Sequence, residues 1–318
     1  MTEHNGAPIL TVGLPVYNGQ RYLATALDSI QGQSFTDFEL VISDNGSTDA
    51  TREICADYAA RDPRLRYVRF DRNMGAARNY NRVAVMARGK YFRWASHDDV
   101  VDHKYFECCV EELEAHPNAV LCYPRTLIID ENGEPVRMYD DGMDLRNPEA
   151  VERFEEYLNI YRKPHSCNAV FGIMRTHVLK KTPLIGSYVS SDMILLGELV
   201  LNGEIHELPE TMFFRRDHPK ASVRAHPAYR DRIAWFDPEL KGRLQLTKWR
   251  WLVEYVRAIG RSPLSGREKM RCYQLMARWS TWNMTGLGKD LMKAGLWPFV
   301  QAYLAMGFEH EGQESRGA

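Results

Sequence analysis

With 318 residues, 44% of them hydrophobic and 26% charged, the chain has the make-up of an ordinary globular protein with room for one sizeable core and an appendage. That balance excludes a disordered, fibrous or repeat protein, and no apolar run reaches the length of a bilayer-spanning helix. The formal charge of −1 hides a gradient, acidic up to residue 214 and basic from Arg215 onward, which suits a front half that binds metal and polar small molecules and a back half that meets an anionic surface or substrate.

The opening residues, Met1 to Gly6, lack the basic and then apolar order of a signal peptide, so a cytoplasmic location is expected. Six cysteines, at 55, 108, 109, 122, 167 and 272, show no zinc spacing and are expected to be free thiols. A first strand is expected over 8–14, closed by the turn Pro15-Val16-Tyr17-Asn18-Gly19. Leu23, Leu27 and Ile30 then share one helix face. A second strand over 38–42 ends in Ser43-Asp44-Asn45-Gly46-Ser47-Thr48-Asp49, with Thr48 or Asp49 as the cap of the helix that carries Ile54 and Tyr58. A third strand over 64–70 leads into the turn Asn73 to Asn81, which opens a third helix.

The fourth strand, Tyr91-Phe92-Arg93-Trp94, ends abruptly in Ala95-Ser96-His97-Asp98-Asp99. In an open α/β sheet that edge is where ligands sit. Adjacent carboxylates repel, so Asp98 and Asp99 there imply a divalent cation, with Asp98 as ligand and Asp102 as cap of the next helix. Strand and helix alternate this far, as a parallel sheet requires. Beyond them, strands over 119–123 and 126–129, a hairpin turn at 131–134, and strands over 168–174 and 211–215 make the sheet mixed. Helices are expected from Pro148 through Leu158 and from Asp192 through Leu199, and the chain becomes helical from about Asp237.

Neither G-x-G-x-x-G nor G-x-x-x-x-G-K-S/T occurs, which excludes the two commonest nucleotide-binding loops. The strand ends instead offer a flat ring (Tyr17), a carboxylate able to accept from a base N–H (Asp44) and a metal ligand (Asp98), together what a nucleoside diphosphate needs. His218, in Phe213-Phe214-Arg215-Arg216-Asp217-His218, could complete the metal's coordination, and Arg215 or Arg216 could hold phosphate.

The motifs P-V-Y-N, V-I-S-D-N-G-S-T-D-A-T, N-M-G-A-A-R-N-Y-N and W-A-S-H-D-D together resemble the family 2 glycosyltransferases, inverting enzymes of the GT-A fold, over roughly Ile9 to Arg224. The resemblance implies a Rossmann-like mixed central sheet flanked by helices over residues 1–225 and a helical C-terminal extension over 226–318. It implies a nucleoside-diphosphate sugar as donor, Mn²⁺ or Mg²⁺ as cofactor, and polysaccharide biosynthesis as the setting. Pro15, Tyr17, Asn18 and Asp44 would surround the base, Asn73, Gly75, Arg78 and Asn81 would lie near the nucleoside, and Asp98 would be the metal-binding acid of the D-x-D motif. The first Asp of that motif is Ser96 here, so His97 or Asp99 takes over its contact. Tyr80 stands five residues after Gly75, where many relatives carry an Arg. The family's general base lies at the start of a later helix, which Ser190-Ser191-Asp192 resembles, pointing to Asp192. Such a group must take the proton of the acceptor hydroxyl.

The acceptor is expected to be a glycan or a lipid-linked saccharide. In the C-terminal segment, Lys248 to Leu252 and Arg278 to Trp282 interleave aromatics with cations. Packing on the catalytic domain is the first explanation, and peripheral contact with the inner membrane face is the functional alternative. Nucleic acid is excluded as a partner by the acidic front half, and a homodimer is left open. Two rivals remain: a non-catalytic nucleotide-sugar binding protein, suggested by Ser96, and a nucleotidyltransferase on a related sheet.

Overall fold

A computed structural model describes residues 6–163, 165–225, 228–296 and 298. Four short strands, β1 (Leu10–Val16), β2 (Phe38–Asp44), β3 (Leu65–Arg69) and β4 (Tyr91–Trp94), alternate with α1 (Leu23–Gln31), α2 (Thr51–Arg61) and α3 (Ala76–Val85). β1, β2 and β4 are buried along their whole length, as uninterrupted apolar strands must be when helices cover both faces of a parallel sheet. β5 (Val100–Val101), α4 (Tyr105–Ala115), β6 (Ala119–Ile129), β7 (Pro135–Tyr139) and α5 (Ala150–Ile160) follow. Then come β8 (Ile173–Arg175), α6 (Thr176–Leu179), α7 (Ser191–Asn202) and β9 (Glu204–Arg216). The chain continues through α8 (Ser222–Ala225), α9 (Tyr229–Phe236), α10 (Thr247–Arg261) and α11 (Gly266–Trp282), and the backbone is helical again over 284–296.

The sheet order is β3-β2-β1-β4-β8-β6-β9-β5, with β7 paired to β6. β1, β2, β3 and β4 are parallel, β6 and β9 are parallel, and β8 runs antiparallel between β4 and β6. The mixed Rossmann-like sheet expected from the sequence is therefore present. β1 runs to Val16 rather than stopping at Leu14, because Pro15 and Val16 remain in register with Ser43 and Asp44. The two strands expected over 119–129 are one, carried past Pro124 by register shifts against β9. The stretch 168–174 instead divides into a 3-10 turn, Asn168–Phe171, and β8. Asp102 does not cap α4 in the expected way: Lys104 is the boundary residue, and the Asp102 carboxylate accepts from the Lys104 N–H at 2.9 Å. Asp49 likewise sits one residue outside the helix boundary, its Oδ1 accepting from Thr51 N at 3.1 Å. The helical run expected from about Asp237 is seen to residue 296, and residues 297 and 299–318 lie outside the described residues.

Two apolar cores lie on the two faces of the sheet. One joins the strands to α1, α2 and α4 through Leu23, Leu27, Ile30, Cys55, Phe106 and Cys109. The other collects α3, α5 and α7 together with Tyr255, Ala258 and Ile259 of α10 and Cys272, Met276 and Trp279 of α11. The C-terminal helices thus bury their apolar faces in the same core as the sheet, each large side chain contributing about 1.5–3 kcal/mol. Gly197 lets these helices meet, since a Cβ there would fall 2.7 Å from Tyr255 and 2.8 Å from Tyr157. Trp249 and Trp251 donate their indole N–H groups to Leu287 O and Val189 O, so both are engaged within the protein. All six cysteines are free thiols.

Candidate active site

The ends of β1 and β2 are stitched into one platform. Asn18 adopts φ 51°, its N–H donates to Ser47 Oγ at 2.9 Å, and its Oδ1 accepts from Thr48 N at 2.9 Å. Held in this way, the β1 loop presents Tyr17, which is 42% exposed, while Pro15 stays in register with Ser43 behind it. Asp44 is wholly enclosed, accepting from Ser47 N at 2.8 Å, Tyr67 Oη at 2.9 Å and Arg69 Nε at 3.0 Å. It shapes the platform from inside rather than offering a free edge.

The turn that opens α3 is also committed. Asn73 Oδ1 accepts from Asn45 Nδ2 and from Gly75 N, each at 2.9 Å. Gly75 has φ +88°, and a Cβ there would sit 2.5 Å from Phe236 O, so this glycine admits the chain's own 236–238 segment and not a nucleoside. Arg78 pairs with Glu239 at 3.2 Å on the surface. Asn81 uses both ends of its amide on the backbone of Ile185, at 2.9 Å each, and so tethers α3 to that segment. The sequence does not reveal the partners of Gly75, Arg78 and Asn81 because they come from more than 100 residues downstream.

At the end of β4 the carboxylates differ sharply. Asp98 accepts a short hydrogen bond from Ser96 and has His218 Nε2 2.9 Å from its Oδ2. Burial pushes its carboxyl up, but the charge of His97 and the bonds from His218 and Ser96 outweigh that and hold it well below the usual range. Asp99 is 8% exposed and accepts from Arg216 N at 2.8 Å; burial and the neighbouring Asp98 push it up to about 7. Two like charges side by side divide in this way, one ionised and one proton-holding. His218 is buried and packs edge-on against Tyr22 at 4.9 Å. His97 lies against Gly19, linking the carboxylates to the β1 loop.

Arg216 is not a phosphate ligand as expected. It donates to the carbonyls of Asp98, Asp130 and Glu131 and lies over the Tyr22 ring, which fixes the backbone under Asp98. Arg215 is the cation that faces inward, donating to Asn168 Oδ1 at 2.7 Å.

Asp192 stands in the first turn of α7, its Oδ1 accepting from Met193 N at 2.9 Å. Burial raises its carboxyl, moderated by backbone N–H groups and by the charge of Arg215. Burial pushes the Tyr80 hydroxyl up, and the charges of Asp98, Asp99 and Asp192 add to that while Arg215 opposes it. Tyr80 is thus the residue that sequence reasoning noted only as a departure. Asp141 and Asn168 were missed: Asp141 is 3% exposed, pushed up to about 7 by burial, and accepts from Asn168 N.

Fold and strand-edge carboxylates together define a GT-A glycosyltransferase. Residues 11–182 match the model of glycosyl transferase family 2, and the chain belongs to that family. An uncharacterised protein of Mycobacterium tuberculosis (strain H37Rv) is 31% identical over 235 residues, covering 70% of this chain and 62% of that protein. The chondroitin synthase of Escherichia coli is 29% identical over 126 residues, 40% of this chain and 18% of that one. In both cases the match spans less than two thirds of the relative's own length. Among solved structures, S. aureus TarS 1-349 in complex with UDP-GlcNAc superposes with a TM-score of 0.52 at 17% identity, covering 90% of this chain and 91% of that one. The Pyrobaculum calidifontis mannosyltransferase PcManGT in complex with GDP-Man and Mn²⁺ gives 0.54 at 15% identity, covering 96% and 81%.

Proposed function

We propose that this glycosyltransferase moves a sugar, with inversion and with the help of a divalent metal, from a nucleoside-diphosphate sugar to a hydroxyl of a glycan or lipid-linked acceptor, in polysaccharide biosynthesis. The observation that carries the reading is the carboxylate cluster after β4, where Asp98 meets His218 at 2.9 Å and Asp99 accepts from Arg216 N at 2.8 Å, together with the β1 loop that presents Tyr17. Tyr17 covers the base, with Pro15 and Asn18 shaping its seat and Asp44 stiffening it from below. Asn73, Gly75 and Arg78 brace the far side of that seat through the 236–239 segment.

The ionised Asp98 with the His218 imidazole at 2.9 Å is a mixed oxygen and nitrogen donor pair that fits Mn²⁺ or Mg²⁺. A cation bound there would supply Lewis-acid neutralisation of the departing diphosphate. The protein's own residues do the rest. Asp192 takes the proton of the acceptor hydroxyl as its oxygen bonds to the anomeric carbon, and the carbon–oxygen bond to phosphate breaks with its electron pair leaving on the nucleoside diphosphate. Asp99 holds the end of β9 in place through the 2.8 Å bond it accepts from Arg216 N, and His97 and Arg215 line the path between donor and acceptor. Exposed Met284, Leu291, Met292 and Leu296 support a lipid-linked acceptor met at a membrane surface. No helix among the described residues is long and apolar enough to cross a membrane.

The test is thermal stabilisation by UDP, GDP, dTDP and CDP with Mn²⁺, with Mg²⁺ and with EDTA, since a ligand at 100 times its Kd adds about 2.7 kcal/mol. One nucleotide should stabilise strongly with metal and weakly without it, and Asp98→Asn should remove the difference. Equal stabilisation with Mn²⁺ and EDTA would overturn the metal-dependent reading.

A further inference from the structure

Four metal-ligating side chains meet at the end of β9 remote from Asp98. Glu112 and His116 stand four residues apart on the last turns of α4 and share one helix face. Glu204 and His206 stand two apart at the start of β9 and share one strand face. About ten residues of strand, roughly 30 Å at 3.3 Å per residue, separate His206 from Arg216 under the candidate active site. The two clusters are therefore independent.

His206 is 1% exposed, and each ring nitrogen faces a carboxylate: Nδ1 is 2.7 Å from Glu112 Oε1 and Nε2 is 2.9 Å from Glu204 Oε2. His116 Nδ1 lies 3.4 Å from the same Glu112 oxygen, and the two imidazoles are 4.9 Å apart, centroid to centroid. One ligand atom each from Glu112, His116 and His206 fall within 4.8 Å of one another. Arg146 also reaches Glu112 Oε1, at 3.2 Å, but leans on Asp144 at 2.7 Å and is 42% exposed, so it can swing away.

A neutral imidazole has one N–H and one lone pair, so between two carboxylates its lone-pair nitrogen faces an oxygen with nothing positive between them. A proton or a metal ion on that nitrogen removes the conflict. A proton would settle His206 alone, whereas an ion would also draw in His116, whose Nδ1 now rests 3.0 Å from Glu112 O. We propose that Glu112, His116 and His206, with Glu204 at the rim, form a second divalent-cation site that takes Zn²⁺ and ties the end of α4 to the start of β9. Imidazole with carboxylate is a donor set that zinc accepts, at about 2.0–2.2 Å per ligand. The trio must close in by about an ångström from its present spread. His116, with its side chain 46% exposed, makes that movement by giving up its 3.0 Å contact with Glu112 O.

The test uses the full chain, stripped with EDTA, dialysed, and titrated with Zn²⁺ in a calorimeter, with Tm followed in parallel. Wild type should bind Zn²⁺ and gain Tm, and Asp98→Asn, which lacks the metal-binding acid of the candidate active site and is the background for the next change, should still bind one Zn²⁺ tightly. His116→Ala in that background, a surface change that keeps the fold, should bind at least tenfold more weakly and gain little. Co²⁺ in place of Zn²⁺ should give visible d–d bands in Asp98→Asn and not in Asp98→Asn with His116→Ala. No Zn²⁺ binding by Asp98→Asn, or equal affinity and Tm gain in Asp98→Asn and in Asp98→Asn with His116→Ala, would overturn the site.

Discussion

Asp192→Asn separates chemistry from folding. The Asn carbonyl keeps the 2.9 Å bond that Asp192 Oδ1 accepts from Met193 N, so α7 starts unchanged. What is lost is the group that receives the acceptor proton. General-base removal costs about 10²- to 10⁴-fold in rate, or about 2.7–5.5 kcal/mol of barrier at 1.36 kcal/mol per decade. Folding responds in the opposite sense. Burial raises the Asp192 pKa, so folding must desolvate an ionised carboxylate at neutral pH, at about 1.4 kcal/mol per unit of elevation. This contribution is most favourable at low pH and is lost as pH rises through the raised value; the neutral amide removes the cost. Tm should therefore stay level or rise while turnover collapses. The assay is release of nucleoside diphosphate from the donor found by thermal screening, with Tm and nucleotide affinity measured on the same samples. In wild type, turnover should fall as pH drops through a pKa above the ordinary Asp value, because the base must be unprotonated. Turnover within threefold of wild type, or a large loss of Tm, would refute the base assignment.

Gly75→Ala places a Cβ 2.5 Å from Phe236 O at φ +88°, a region costing about 1–3 kcal/mol for other residues, and should destabilise the protein by at least that much in urea denaturation. Arg261→Met strips Glu198, 3% exposed, of bonds at 2.9 and 2.8 Å; discounting for the 35% exposure of Arg261, a loss of about 2 kcal/mol is expected, largely restored by adding Glu198→Leu. The hydrogen bond from Arg64 holds Asp62 down at about 2, so its pair contributes above pH ~4 and is lost as pH falls through about 2. Screening by solvent around Arg64 limits that contribution to about 1 kcal/mol, which Asp62→Asn should remove when unfolding is followed at pH 7 but not at pH 2.

The sequence by itself determined the strand ends and what they carry. Apolar runs closed by Pro15-Val16-Tyr17-Asn18, Asp44-Asn45-Gly46 and His97-Asp98-Asp99 can form only if the polar residues fall at the sheet's edge, because chain periodicity and turn chemistry are local. Tertiary structure decided which of those residues are free. Asn81 is taken by Ile185, Gly75 is filled by Phe236, Arg216 spends its guanidinium on carbonyls beneath Asp98, and Arg215 bonds Asn168. The low-lying carboxyl of Asp98 likewise owes part of its hold, after the charge of His97, to the bond from His218, 120 residues away. Hydrogen-bond partners and burial are properties of neighbours in space, and residues so distant along the chain become neighbours only when β9 returns beside β6 and its end reaches the edge of β4.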